Sequence, residues 1–129
     1  MCAAETLGVA PASVDGDVLG KPANRAEAEA FLKRLSGRSH EVRTTVALAM
    51  EGPVMSSTSV STVTFRAITD DEVRRYCATS EPYDKAGGYG IQGLAAVFIE
   101  RIEGSHTGVM GLPLFETAQL LSKAGMRVL

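Results

Sequence analysis

Residues 81–93 read EPYDKAGGYGIQG, thirteen positions that hold two carboxylates, a lysine, a glutamine and four glycines. Glycine weakens helices and strands alike, because it has the most backbone freedom to lose. This stretch is therefore read as a loop, with the regular elements lying on either side of it. Either the chain merely turns here, or its backbone has to approach something closely. The two alternatives carry different functions.

The elements around the loop follow from spacing. Val14 to Leu19 is short and flanked by glycines, which predicts a strand entering Gly20-Lys21-Pro22. Asn24 and Glu27 have the spacing of a capping box, and Ala28, Phe31, Leu32 and Leu35 form one apolar stripe that ends at Gly37. Val42 to Met50 reads as a strand, Gly52-Pro53 as a turn, and the alternating Val63, Phe65 and Ala67 as a returning strand, together an antiparallel hairpin. Thr69 and Glu72 open a second capped helix through Val73, Tyr76 and Cys77. Beyond the loop, Phe98, Arg101 and Glu103 mark a strand, Ser105 to Thr107 a turn, and GVMG (108–111) a short strand. Pro113 is expected at the first helical position, with Leu114, Ala118, Leu120 and Leu121 as the core face and Gly125 as the stop. Three helices interleaved with about five strands predict a single α/β or α+β domain over residues 1–129.

Composition excludes several classes. A net charge of −2 argues against a nucleic acid polymer as partner. No apolar run approaches the ~20 residues of a membrane helix. The opening MCAAETLG has no basic segment followed by an apolar one, so no secretory signal is expected and the cytoplasm is the expected compartment. Cys2 and Cys77 are read as free thiols, and His40 and His106 lack ligand-like spacing.

Chemistry is concentrated in AETLG near the start, in GKP at 20–22 and in the loop. Lys21, held between a glycine and a proline, and Lys85 are compact charges suited to phosphate oxygens. Gly87 to Gly90 have the composition of a backbone nest for an anion. The plain alternatives are a solvated lysine, a frayed terminus and a turn. From the residues alone the reading stops at a phosphate site.

Together with EPYDKAGGYGIQG, the segments DGDVLGKP, LSGRSHEV, VTFRAITDDEVRRY and VFIERIEGSHTGVMGLPLFETAQLL make the chain resemble the Maf family of nucleoside triphosphate pyrophosphatases from about residue 14 onward. The resemblance implies a mixed central sheet flanked by helices, with a nucleotide cleft. It also implies hydrolysis of a nucleoside triphosphate to the monophosphate and pyrophosphate, as in housecleaning of non-standard nucleotides, with Mg²⁺ or Mn²⁺. YGIQG is similar to the branch acting on dTTP and UTP, and Gln92 corresponds to the position that helps select a pyrimidine. By the same correspondence Glu5, Lys21 and Lys85 are the catalytic candidates, and Thr6, Gln92, Gly87 and Gly90 bind substrate. Glu5, Asp84 and Glu81 are the implied metal ligands, and a homodimer is an implied assembly.

Two departures from the family fall at this site. Residues 1–13 do not match its serine-rich, proline-arginine-arginine loop, and Glu5 stands where an aspartate is expected, with Asp15 and Asp17 as alternative carboxylates. The expectation is an N-terminally truncated domain with weak turnover. The alternative is a non-catalytic relative that binds nucleotide or pairs with a full-length partner.

Overall fold

The computed structural model describes residues 3–7, 12–49, 54–126 and 129, with only the backbone described for residues 3–7. In chain order the elements are strands β1 (Ala3–Leu7), β2 (Ala12–Val14) and β3 (Asp17–Leu19), then helix α1 (Arg25–Leu35). Strands β4 (Ser39–Ala49) and β5 (Met55–Phe65) follow, then α2 (Asp70–Cys77), strand β6 (Ile99–Glu103), and helices α3 (His106–Met110) and α4 (Leu114–Lys123). Between α2 and β6 the chain forms three 3₁₀ turns, at Glu81–Asp84, Ala86–Gly88 and Leu94–Phe98.

The strands make one six-stranded sheet in the order β3-β2-β4-β5-β6, with β1 also paired to β4. Every described pairing is antiparallel, where a mixed sheet was expected. Connectivity accounts for two of the five pairings: β2–β3 and β4–β5 are hairpins, which make antiparallel neighbours, while the other three join strands through longer connections. The long hairpin pairs Ser39 with Thr64 through to Leu48 with Met55, as the alternation predicts. Its turn at Gly52-Pro53 lies outside the described residues.

Val14 to Leu19 is not one strand. Asp15 (φ 51°) and Gly16 (φ 81°) both adopt left-handed backbone, and the chain folds back so that Val14 faces Asp17. An Asp-Gly pair is suited to this two-residue turn, whose twist matches that of the flanking strands. The hairpin is held to the helix end beside it: Arg34 donates to Asp17 at 2.6 Å and to the Val14 carbonyl at 3.2 Å, and Arg38 donates to Asp15 at 2.7 Å.

Both caps form as their spacing predicts. Asn24 Oδ1 accepts from the Glu27 N–H at 2.9 Å, and Glu27 reaches back to the Ala23 N–H. At α2, Thr69 and Glu72 make the reciprocal box. Arg66 grips Glu72 with two nitrogens, at 2.8 and 3.0 Å, and holds its carboxyl down to about 2. The main core packs Leu32 and Leu35 of α1 and Val73 and Tyr76 of α2 against Val63, Phe65 and Phe98. Leu120 of α4 joins Val46 and Leu48 in a second cluster.

The C-terminal third differs from the sequence reading in three places. Phe98 ends a 3₁₀ turn, and the strand begins one residue later. Residues 108–110 are helical rather than extended, because Ser105 Oγ accepts from the Gly108 N–H at 2.9 Å and Gly111 (φ 117°) closes the turn. Pro113 caps α4 from outside, and Leu114 is 56% exposed instead of buried. Helix α3 docks on the sheet through polar groups. Thr44 Oγ1 donates to the Gly108 carbonyl at 2.6 Å, and the Ser105 N–H donates to Ser61 Oγ at 2.9 Å. That accounts for the buried Ser61 on a threonine- and serine-rich strand.

Candidate functional site

Residues 81–93 fold over the open face beside β2 and β4. They form one side of a cleft of about 840 Å³, within the ordinary range for small-molecule sites. Ala12, Val42, Tyr89 and Val109 give it apolar lining, and Glu81, Asp84, Lys85 and Gln92 give it polar lining. Met110 and Gly111 at the end of α3 complete the opposite side.

The four glycines of the loop have local reasons. Gly87 and Gly88 take φ of 80° and 77°, and a methyl on Gly87 would lie 2.8 Å from the Ala12 side chain. The Lys85 stem crosses Gly90, leaving 2.8 Å to a methyl there, and the Glu81 carboxylate occupies the space beside Gly93. Close backbone approach is therefore real, but it is to other parts of the same protein. The N–H groups of Gly87, Gly88 and Gly90 donate to Gly20 O at 3.0 Å, Lys85 O at 3.0 Å and the Tyr76 hydroxyl at 3.2 Å. The expected anion nest at 87–90 thus gives way, for these three donors, to internal hydrogen bonding. Gly90 lines the cleft. Gly87 is buried against β2.

Glu81 is the most engaged carboxylate of the loop. Its Oε1 accepts from the Leu94 N–H at 2.9 Å, and its Oε2 accepts from the Ala95 N–H at 3.2 Å and from the Tyr76 hydroxyl. Burial pushes its pKa up, but the Tyr76 hydroxyl and the backbone N–H groups outweigh it and hold the carboxyl below its usual range. Asp84 and Lys85 are exposed and linked at 3.4 Å. Gln92 is exposed at the lip.

Of the other candidates, Lys21 is exposed on the GKP turn, tied to the loop through Gly20 but not part of the described cleft lining. Glu5 and Thr6 lie on β1 opposite Ala47 and Val46, with their side chains outside what is described. Five residue steps along β4, roughly 17 Å of strand, separate Ala47 from Val42 in the cleft. Asp15 and Asp17 are committed to Arg38 and Arg34. Arg74 and Arg75 pair with Asp71 on α2. No group of three or more His, Cys, Asp or Glu side chains is placed to hold a metal among the described residues.

Spacing alone missed Tyr76, Tyr89 and His40. Tyr89 is 6% exposed, and its hydroxyl is 2.6 Å from His40 Nε2 on β4. Phe65 packs edge-on against both rings. The only signal was that Tyr89 sits inside the glycine cluster, which does not say where its hydroxyl goes.

A family model described as Maf-like protein matches residues 3–124, nearly the whole chain. The chain belongs to the Maf family. Among curated Maf relatives, a protein of Aromatoleum aromaticum named dTTP/UTP pyrophosphatase is 58% identical over 112 residues, 87% of this chain and 54% of the relative. One of Bordetella parapertussis with the same name is 57% identical over 115 residues, 89% of this chain and 56% of the relative. One of Chromobacterium violaceum, again so named, is 50% identical over 116 residues, 90% of this chain and 59% of the relative. The chain spans about half the length of the curated Maf relatives it matches. Among the described residues no helix is long and apolar enough to cross a membrane.

Proposed function

We propose that the cleft binds a pyrimidine nucleoside triphosphate, and that the activity it serves is hydrolysis of dTTP or UTP to the monophosphate and pyrophosphate. One observation carries the reading: Gln92, Lys85 and Asp84 share one cleft with an apolar wall of Ala12, Val42 and Tyr89. The names of the Maf relatives support the same substrates.

In this reading the apolar wall takes the base. The Gln92 carboxamide, with a donor and acceptors, meets the N3–H and carbonyl edge of thymine or uracil. Lys85 opposes phosphate oxygens as a point charge, and Lys21 does so from the adjoining turn. Water adds to the α-phosphorus while the α–β anhydride bond breaks and pyrophosphate leaves. The family resemblance gives the proton of that water to Glu5, which lies on β1 beside Ala47 and outside the described cleft lining.

The donor chemistry fits a hard divalent cation. Asp84 is an exposed cleft carboxylate, and magnesium is ordinarily held by one or two carboxylates with water and substrate phosphates. Asp84 would hold Mg²⁺ or Mn²⁺ together with water and the substrate's own phosphate oxygens, and the ion would supply positive charge against the phosphates.

A second reading, nucleotide binding without efficient turnover, is favoured by one feature. Lys85 is the only cationic side chain among the described cleft-lining residues. The test for both is titration of the chain with dTTP, UTP and GTP, alongside pyrophosphate release with Mg²⁺ or Mn²⁺. Pyrimidine triphosphates are expected to bind more tightly, and Gln92→Glu to erode the preference because a carboxylate has no donor. Equal affinity for dTTP and GTP overturns the assignment. Binding without release selects the second reading.

A further inference from the structure

The family correspondence makes Glu81 a metal ligand, but its surroundings point elsewhere. Three donors from two separate parts of the chain converge on this carboxylate: the Tyr76 hydroxyl from α2 and the N–H groups of Leu94 and Ala95 at the start of the last 3₁₀ turn. The same Tyr76 hydroxyl accepts from the Gly90 N–H. Residues 90 and 94–95 are thus fastened to one Tyr76–Glu81 pair. Ile91, Gln92 and Gly93 form the bridge between the fastened ends. Gly93 is required in that bridge, because a methyl there would overlap the Glu81 carboxylate.

Gln92 itself is exposed. An exposed side chain discriminates between bases only if its backbone is held, since a carboxamide free to wander satisfies either edge. Charge-assisted bonds from N–H to carboxylate are roughly twice as strong as neutral ones, which makes an ionised Glu81 suited to that work. Burial of Tyr76 and its bond to Glu81 push the phenol pKa up, so its proton stays on the tyrosine to be donated.

We propose that Glu81, with Tyr76, is a positioning residue for base selection: the pair fixes both ends of the 91–93 bridge and thereby aims Gln92 into the cleft, while metal binding is left to other carboxylates. This rests on the reading of Gln92 as the base-selecting side chain. Glu81→Gln replaces one acceptor oxygen by an NH₂ that faces N–H donors. Tyr76→Phe removes only the hydroxyl and keeps the ring packed on Phe98, whose centroid is 5.6 Å away.

The experiment compares dTTP and GTP affinities of the unmodified chain, Glu81→Gln and Tyr76→Phe, with the Mn²⁺ concentration for half-maximal nucleotide binding measured on each. The dTTP-to-GTP affinity ratio is expected to fall at least tenfold in Glu81→Gln and severalfold in Tyr76→Phe, with the Mn²⁺ midpoint moving less than twofold. A general loss of structure would weaken both nucleotides alike. Gly93→Ala should reproduce the fall, yet add little in a Glu81→Ala background where the methyl has room. An unmodified chain that does not discriminate overturns the base-selection reading and this inference with it. A chain that discriminates, and keeps its ratio in Glu81→Gln while the Mn²⁺ midpoint rises tenfold, overturns this inference alone and returns Glu81 to the metal.

Discussion

Acidification should destabilise the domain through His40 before most carboxylates are protonated. His40 is 3% exposed, its Nε2 bonded to the Tyr89 hydroxyl and its Nδ1 without a partner among the described residues. A protonated ring would bring a second N–H to a place with nothing to receive it. Burial accordingly lowers its pKa from the ordinary 6.5 to about 4. As pH falls below 6.5 the unfolded chain takes up the proton first, so stability is fully present above 6.5 and is lost between 6.5 and 4. A separation of two to three units corresponds to about 3 kcal/mol at 1.36 kcal/mol per unit, lost progressively across that window. Against a total of about 5–15 kcal/mol for a domain, that is a large share. Urea unfolding at half-unit intervals from pH 7.5 to 4.5 reads it directly, with His40→Phe as the variant that lacks the titration. The expected result is a slope in the unmodified chain that is absent from the variant. Equal slopes in the two, or a His40 ring that titrates near 6.5 by NMR in the folded state, would refute the reasoning.

Two further outcomes follow from the loop. Gly87→Ala combines φ of 80° with a methyl 2.8 Å from Ala12, and should lower stability in urea by about 2–4 kcal/mol. Lys85→Ala should weaken dTTP at least fivefold in a binding titration, with a loss that shrinks at high salt because the side chain is exposed; a salt-independent loss would mean that the alkyl stem over Gly90 was the part that mattered.

Local chemistry was legible in the sequence, and contacts between distant residues were not. Asn24 with Glu27 and Thr69 with Glu72 act within one turn of backbone, so their spacing alone located both helix starts. The Asp15-Gly16 turn was hidden because it lies inside a run otherwise suited to a strand. Helix α3 was hidden because Gly108 within it and Gly111 just beyond it outweigh Ser105 as a helix signal, until the polar seat offered by Thr44 and Ser61 is known. The family motifs put Gln92, Lys85, Asp84 and Glu81 in one list, and the fold brings all four to one cleft. They do not separate the carboxylate facing outward from the one facing its own loop. That distinction depends on Tyr76, five residues earlier on α2, and on N–H groups more than ten residues later.

Charge balance shows how far the described cleft goes toward a triphosphate. Its charged lining is two carboxylates and one ammonium, and the ammonium already leans on Asp84 at 3.4 Å. Glu81 stays ionised inside the loop, so with Asp84 and Lys85 the lining carries one net negative charge, and a polyanion gains little from these side chains alone. Arginines would ordinarily supply bidentate contacts to phosphate, but Arg74 and Arg75 are held by Asp71 on the exposed side of α2. Lys21 is the cation whose turn is joined to the loop, through Gly20 and Gly87, and it makes no ion pair among the described residues. In the proposed reading, recognition of the base and recognition of the phosphates therefore separate. The first rests on a loop that is fully braced, and the second on charges the described cleft holds sparingly. That imbalance is the physical reason to expect binding and base preference to survive better than rapid turnover.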